Sequence, residues 1–121
     1  MKLIEVKFDL DTYKEYKLLE EKVKKDKQDR HKPTNKQLLD SINRAIENIK
    51  YNYKCGDLIP RKYIPKDTVK KYGTDKILRV ELVGYWRLLY TIIGDEIKIV
   101  AFILEFMNHS NYNKRFGYKK K

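Results

Sequence analysis

The stretch from Ile77 to Phe106 constrains this chain more than any other feature. Leu78, Val80 and Leu82 alternate with Arg79 and Glu81, the period-2 pattern of a half-buried strand. Gly84-Tyr85 breaks that strand. In residues 86–93, Trp86, Leu88, Tyr90 and Ile92 alternate with Arg87, Leu89, Thr91 and Ile93. Gly94-Asp95 is a two-residue hairpin signal. Residues 97–106 are almost continuously apolar, as in a central strand covered on both faces. The remaining residues must therefore supply the cover.

They contain suitable elements. Residues 2–8 alternate as a short strand, with Ile4, Val6 and Phe8 on one side. A helix is predicted from Asp11-Thr12, where Thr12 and Glu15 fit a capping box. Tyr13, Tyr16, Leu19 and Val23 fall at helical spacing along it. The lysine-rich run 24–30 has no apolar stripe and reads as a loop, ended by His31-Lys32-Pro33. A second helix starts at Thr34, and Leu38, Leu39, Ile42, Ala45, Ile46, Ile49 and Tyr53 form a broad apolar face. Gly56 closes it as a residue just past the helix end. The pair forms a helical hairpin over about 12–54. Pro60 and Pro65 bracket residues 61–64, where only an edge strand is allowed. Lys66–Tyr72 suits one or two helical turns that Gly73 stops. The expected architecture is α+β, in the order β-α-α-β-β-β with an extra edge strand allowed. A small antiparallel sheet (about 77–106) carries the helical hairpin on one face. A basic tail (108–121) follows, and the sheet's other face exposes Arg79, Glu81 and Arg87.

At 121 residues the chain is expected to be a single domain. No run of about 18 apolar residues exists to span a membrane, and Glu5 comes too early for a secretory apolar segment. Cys55 is the single cysteine, which excludes an internal disulfide or a multi-cysteine zinc site. A reducing cytoplasm is the expected compartment. No glycine-rich phosphate loop and no ligand-spaced His/Cys cluster is present, so neither a metal nor a small-molecule cofactor is expected.

The net charge is +11, of which +3 falls in residues 1–60 and +8 in residues 61–121. A one-sided basic excess is the footprint of a polyanion binder. The second half holds Arg61, Lys62, Lys66, Arg79, Arg87, His109, Tyr112 and Arg115. RNA cleavage without a metal needs such a set. A base takes the 2′-hydroxyl proton, cations stabilise charge growing on the phosphorane oxygens, and an acid protonates the leaving 5′-oxygen. The same residues admit plainer readings. Arg87 pairs with Glu81 on the sheet face, for roughly 0–1 kcal/mol. Trp86 and Tyr90 belong to the core. Tyr112 and Phe116, four apart, form the apolar stripe of a final helix.

Residues 78–82, the Tyr85-Trp86-Arg87-Leu88-Leu89-Tyr90 run, the Gly94-Asp95 hairpin and His109-Ser110-Asn111-Tyr112 resemble the RelE/ParE toxin superfamily. The Gly56–Lys62 segment and the His-x-x-Tyr-x-x-x-Phe-Gly-Tyr ending at His109–Tyr118 resemble its archaeal RelE-like branch. The resemblance implies the toxin of a type II toxin–antitoxin pair that cleaves mRNA on the ribosome without a metal. It implies mRNA, the ribosome and a cognate antitoxin as partners. The alternative it implies is a ParE-like gyrase poison, or a member that binds RNA or ribosomes without catalysis. By the same resemblance Arg87 contacts the scissile phosphate and Arg79 lies near a second basic position. His109 or Tyr112 acts as acid or stacks a base. Lys62 and Lys66 match basic residues before the sheet. Glu81 stands where many members carry a basic residue. Arg61 and Arg115 complete the expected RNA-binding set.

Overall fold

The computed structural model describes residues 3–25, 35–94 and 98–116. The chain runs through β1 (Leu3–Phe8), α1 (Leu10–Lys25), α2 (Asn35–Tyr51), β2 (Asp57–Leu58) and α3 (Lys66–Tyr72). It continues through β3 (Leu78–Glu81), β4 (Arg87–Gly94), β5 (Lys98–Met107) and α4 (His109–Phe116). The strands form one five-stranded sheet in the order β1-β5-β4-β3-β2. Lys24 and Lys25, read as the start of a loop, are the last residues of α1; the rest of that break (26–33), the Thr34 cap position, Asp95 of the hairpin turn and residues 117–121 lie outside the described residues.

The sheet is mixed, not antiparallel. β5 pairs antiparallel with β4, and β4 with β3, as the tight-turn pattern predicts. β1, however, runs parallel to β5, with Leu3 opposite Lys98 and Phe8 opposite Ile103. Parallel neighbours need a long connection, and here everything from α1 to β4 supplies it. Local periodicity carries no information about such a pairing.

Both sheet faces are covered. Leu38, Ile42, Ala45 and Ile49 of α2 pack on Leu88, Tyr90, Ala101, Ile103 and Phe106, with Trp86 and Tyr16 at the margin. The opposite face, expected to be open, holds a second core of Leu89, Leu104 and Met107 under Tyr112 and Phe116 of α4. Val69 and Tyr72 of α3 extend that cover. The basic tail is thus partly helix. The Tyr112–Phe116 stripe has buried rings at 4.9 Å between centroids, which requires a second apolar sheet face. A bulge provides it: Leu89 pairs with Glu105 but Tyr90 with Ile103. The extra residue in β5 lets both Leu104 and Glu105 point to the α4 side.

Three local expectations are corrected. The edge strand is Asp57–Leu58, paired with Arg79 and Leu78, while Arg61–Tyr63 is a 3₁₀ turn. The flanking prolines, with φ of −55° and −61°, start this turn and α3 rather than a strand. Helix α1 begins before the proposed capping box, since the Tyr13 N–H already bonds to the Asp9 carbonyl. Thr12 is buried inside the helix and its hydroxyl donates to the Leu104 carbonyl, tying α1 to β5. Gly56 does not close α2, which ends at Tyr51. Gly73 does stop α3, at φ 70°.

Gly56 is instead a point of close approach. Its N–H donates to the Tyr90 hydroxyl at 2.9 Å, and that hydroxyl donates to the Tyr53 carbonyl at 2.9 Å. Burial pushes the Tyr90 phenol well above its ordinary range, in keeping with a hydroxyl that works as a structural donor. A Cβ at position 56 would meet the Arg79 carbonyl oxygen and two Tyr90 atoms at 2.8 Å. Neither a strand carbonyl nor a buried ring gives way cheaply. Gly56→Ala is expected to lower stability by about 1–3 kcal/mol, the usual cost of overpacking. Urea denaturation followed by circular dichroism checks this; an unchanged midpoint would remove the clash.

Candidate active site

The site begins with strand register. On the α4 side of the sheet, Glu81 lies opposite Arg87 and Arg79 opposite Leu89. The alternation read from the sequence therefore puts both arginines and Glu81 on one face. Helix α4 crosses above them. Asn108 starts it, its side-chain oxygen accepting the Asn111 N–H at 2.9 Å and its carbonyl accepting the Tyr112 N–H at 3.0 Å. From that start, His109 sits at the first helical position and Tyr112 one turn on, facing the sheet.

Tyr112 is the centre of the cluster. Its ring is 1% exposed, and the guanidinium carbons of Arg79 and Arg87 each lie 5.5 Å from its centroid. Arg79 Nη1 also donates to the Tyr112 hydroxyl at 2.8 Å. Two cations close to one ring face repulsion; the ring quadrupole offsets part of it, at about 0.5–2 kcal/mol per contact.

Arg87 is buried, at 7% exposure, so its charge requires partners. Nη1 donates to the Tyr85 carbonyl at 2.9 Å and reaches the Trp86 carbonyl at 3.4 Å. Nη2 lies 3.2 Å from Glu81 Oε1. Its Nε is buried without a hydrogen-bond partner. Glu81 is an exposed carboxylate, so the Nη2 edge of Arg87 is the one turned toward solvent. The ion pair read from the sequence is thus present, but one member is buried. Losing Glu81 would leave a poorly compensated buried cation, a larger cost than a surface pair carries.

His109 is exposed, with its ring centroid 5.8 Å from that of Tyr85 and Nε2 3.0 Å from Asn113 Nδ2. Since the Tyr85 carbonyl holds Arg87, the imidazole stands at the same end of the sheet. Arg79, Arg87, His109 and Tyr112 are therefore one constellation. Tyr112 contributes from inside, because its buried ring presents no face to solvent.

The expected RNA-binding residues lie elsewhere and not together. Arg61 pairs with Asp75 at 2.5 Å and, with Lys66, lines a hollow beside α3. Lys62 places its ammonium 5.2 Å from the Tyr63 ring. Arg115 pairs with Glu105 at 2.5 Å, and with Lys71, Lys114 and Asn111 lines an open cleft between α3 and α4. The Tyr72 hydroxyl donates to the same Glu105 oxygen. Burial first, then that carboxylate, pushes the Tyr72 phenol far above its usual range. Glu81 was read from the sequence both as the partner of Arg87 and as an interruption of a basic face, and it is the partner. Tyr85 escapes sequence reading: read as part of a strand break, it holds Arg87 and flanks His109.

Among the described residues, no group of three or more His, Cys, Asp or Glu side chains is placed to hold a metal ion, and no helix is long and apolar enough to cross a membrane. No protein-family model and no curated protein matches the sequence. Among solved structures, a YoeB/ParE toxin from Agrobacterium tumefaciens is similar, with a TM-score of 0.56 and 14% identity over 87% of this chain and 98% of that one. The chain thus shares the fold of that toxin across nearly the whole length of both molecules.

Proposed function

We propose that this protein is the toxin of a toxin–antitoxin pair and acts as a metal-independent endoribonuclease on ribosome-bound mRNA. The observation that carries the reading is the Glu81–Arg87 pair, beside His109 and Arg79, at one end of a sheet with this fold. An exposed carboxylate fixed by a buried arginine is a proton acceptor of set position. Glu81 takes the proton of the 2′-hydroxyl, whose oxygen attacks the adjacent phosphorus. Arg87, through its solvent-side Nη2, and Arg79 stabilise charge on the phosphorane oxygens. His109, as imidazolium, gives its proton to the departing 5′-oxygen. The products are a 2′,3′-cyclic phosphate and a 5′-hydroxyl end. Tyr112 fixes both arginines. Arg61, Lys62, Lys66 and Arg115, which stand away from the cluster, hold stretches of the RNA backbone remote from the cleavage point. The Gly56–Lys62 segment and the His109–Tyr118 ending favour the archaeal RelE-like branch. A basic surface of this kind needs an acidic cover when silent, which an antitoxin supplies.

The test is cleavage of mRNA by purified protein on translating ribosomes, in wild type, Glu81→Gln and His109→Ala. Each variant is expected to cleave about 10²–10⁴-fold more slowly, the usual share of general acid–base catalysis. Absence of cleavage by wild type overturns the proposal, and unchanged cleavage in both variants moves the site elsewhere.

One observation favours a second reading. Arg87 is 7% exposed and its polar edge is committed to Glu81 and two carbonyls. A chain that keeps this arrangement on its target binds without cutting, as an RNA or ribosome binder or a gyrase poison. DNA breaks with intact mRNA in cells expressing the protein would select the gyrase form.

A further inference from the structure

Tyr85 is the one described non-glycine residue at positive φ, at 63°, and it directly follows Gly84 at 64°. A bulky aromatic in the left-handed region is an outlier that costs backbone energy. Its neighbours over-determine it. The Leu82 N–H bonds to the Trp86 carbonyl, the Trp86 N–H reaches back to Val83, and the Tyr85 carbonyl accepts from the buried Arg87. What the strained turn achieves is placement. The Tyr85 ring is 72% exposed rather than packed, while its neighbour Trp86 turns into the core. It stands over the end of the sheet that carries Arg87 and Glu81, and its ring is tilted 53° to that of His109. The two rings are too close to admit a third between them, so the open outer face of Tyr85 is the surface offered.

We infer that Tyr85 is a nucleobase-stacking platform: a base next to the scissile phosphate lies on its outer face, with His109 at the ring edge. The inference rests on the RNA reading above and names a subsite for it. A flat, exposed aromatic ring beside an arginine is the element on which single-stranded nucleic acids stack. Stacking tolerates any base and adds affinity without reading sequence. The turn aims the ring over this end of the sheet, so a base stacked on it brings its adjacent phosphate toward Arg87. The hold on Arg87 comes from the carbonyl, and the hold on the base comes from the side chain, so the two roles of Tyr85 separate by mutation.

The experiment uses a short single-stranded oligoribonucleotide carrying 2-aminopurine, whose fluorescence is quenched on stacking. It is bound to wild type, Tyr85→Trp, Tyr85→Leu and Tyr85→Gly. Wild type and Tyr85→Trp are expected to bind within about twofold of each other and to quench. Tyr85→Leu and Tyr85→Gly are expected to bind roughly ten- to a hundredfold more weakly, without quenching. Tyr85→Gly should also raise the thermal midpoint, because glycine relieves the positive-φ strain. A variant that is more stable yet binds worse has not failed by misfolding. Equal binding and quenching by Tyr85→Leu and wild type overturns the platform, as does a wild type that does not quench. Tighter competition by an acidic polypeptide that depends on Tyr85, with no effect on RNA, overturns it in favour of a protein contact. The cleavage reading fails separately: Tyr85-dependent quenching without any cleavage leaves the platform standing and removes the nuclease, and cleavage without quenching does the reverse.

Discussion

Replacing Arg87 by alanine is expected to lower mRNA cleavage on ribosomes about 10²–10³-fold, the loss typical when one preorganised donor to a developing charge is removed. Binding of single-stranded RNA should fall far less, since Lys66, Lys114 and Arg115 remain. On the reading proposed above, two features give Arg87 its part. It positions the base, through Nη2 on Glu81, and it carries charge toward the phosphate from a low-dielectric setting, where that charge acts more strongly than in water. Lysine is not a substitute: one ammonium cannot reach Glu81 and the Tyr85 carbonyl as a planar fork does. Arg87→Lys should therefore recover little of the rate. Single-turnover cleavage with each variant in excess over ribosomes measures this. A rate within threefold of wild type for Arg87→Ala would exclude Arg87 from the chemistry. Arg87→Ala also deletes a buried charge together with its partners' anchor, so its melting curve is needed alongside to separate loss of activity from loss of fold.

The second large effect concerns the helix above the site. Phe116 is fully buried, against Tyr112 and the bulged stretch of β5. Phe116→Ala is expected to cost about 3–5 kcal/mol. Domains of this size have about 5–15 kcal/mol in all, so the variant should sit near the edge of folding. Guanidinium denaturation monitored through Trp86 gives the value. A loss under about 1 kcal/mol would mean that α4 rests on the sheet without belonging to its core. Because Tyr112 rides on the same helix, loosening α4 also uncovers Arg79 and Arg87, and cleavage should fall even where the variant remains folded.

The strand phases of β3 and β4 are local properties, and they were enough to place Arg79, Glu81 and Arg87 on one side of a sheet. The stripe of Tyr112 and Phe116 was legible for the same reason, as i,i+4 spacing on a helix. Three features were not. The parallel pairing of β1 with β5 joins the two ends of the chain and leaves no trace in either strand's pattern. The bulge at Leu104-Glu105 hides in a run where nearly every residue is apolar, so no break in alternation announces it. Without the bulge, the second core was invisible, and the face it covers read as exposed. The left-handed Tyr85 defeats a rule that looks for glycine, asparagine or aspartate at such positions. Arg115 shows a different limit: its charge was legible, but Glu105, on the strand beneath α4, determines where it points.

The parallel pairing of the first strand with the last has a consequence for synthesis. Leu3–Phe8 has no neighbour until Lys98–Met107 exists, and Thr12 bonds a carbonyl 92 residues ahead. At roughly 5–20 residues per second, about 5–20 s separate the two partners on a translating ribosome. His109 and the helix that completes the cluster follow later still. The sheet, and with it the cluster that α4 completes, therefore closes late, after the whole span from Leu3 to Met107 has been made.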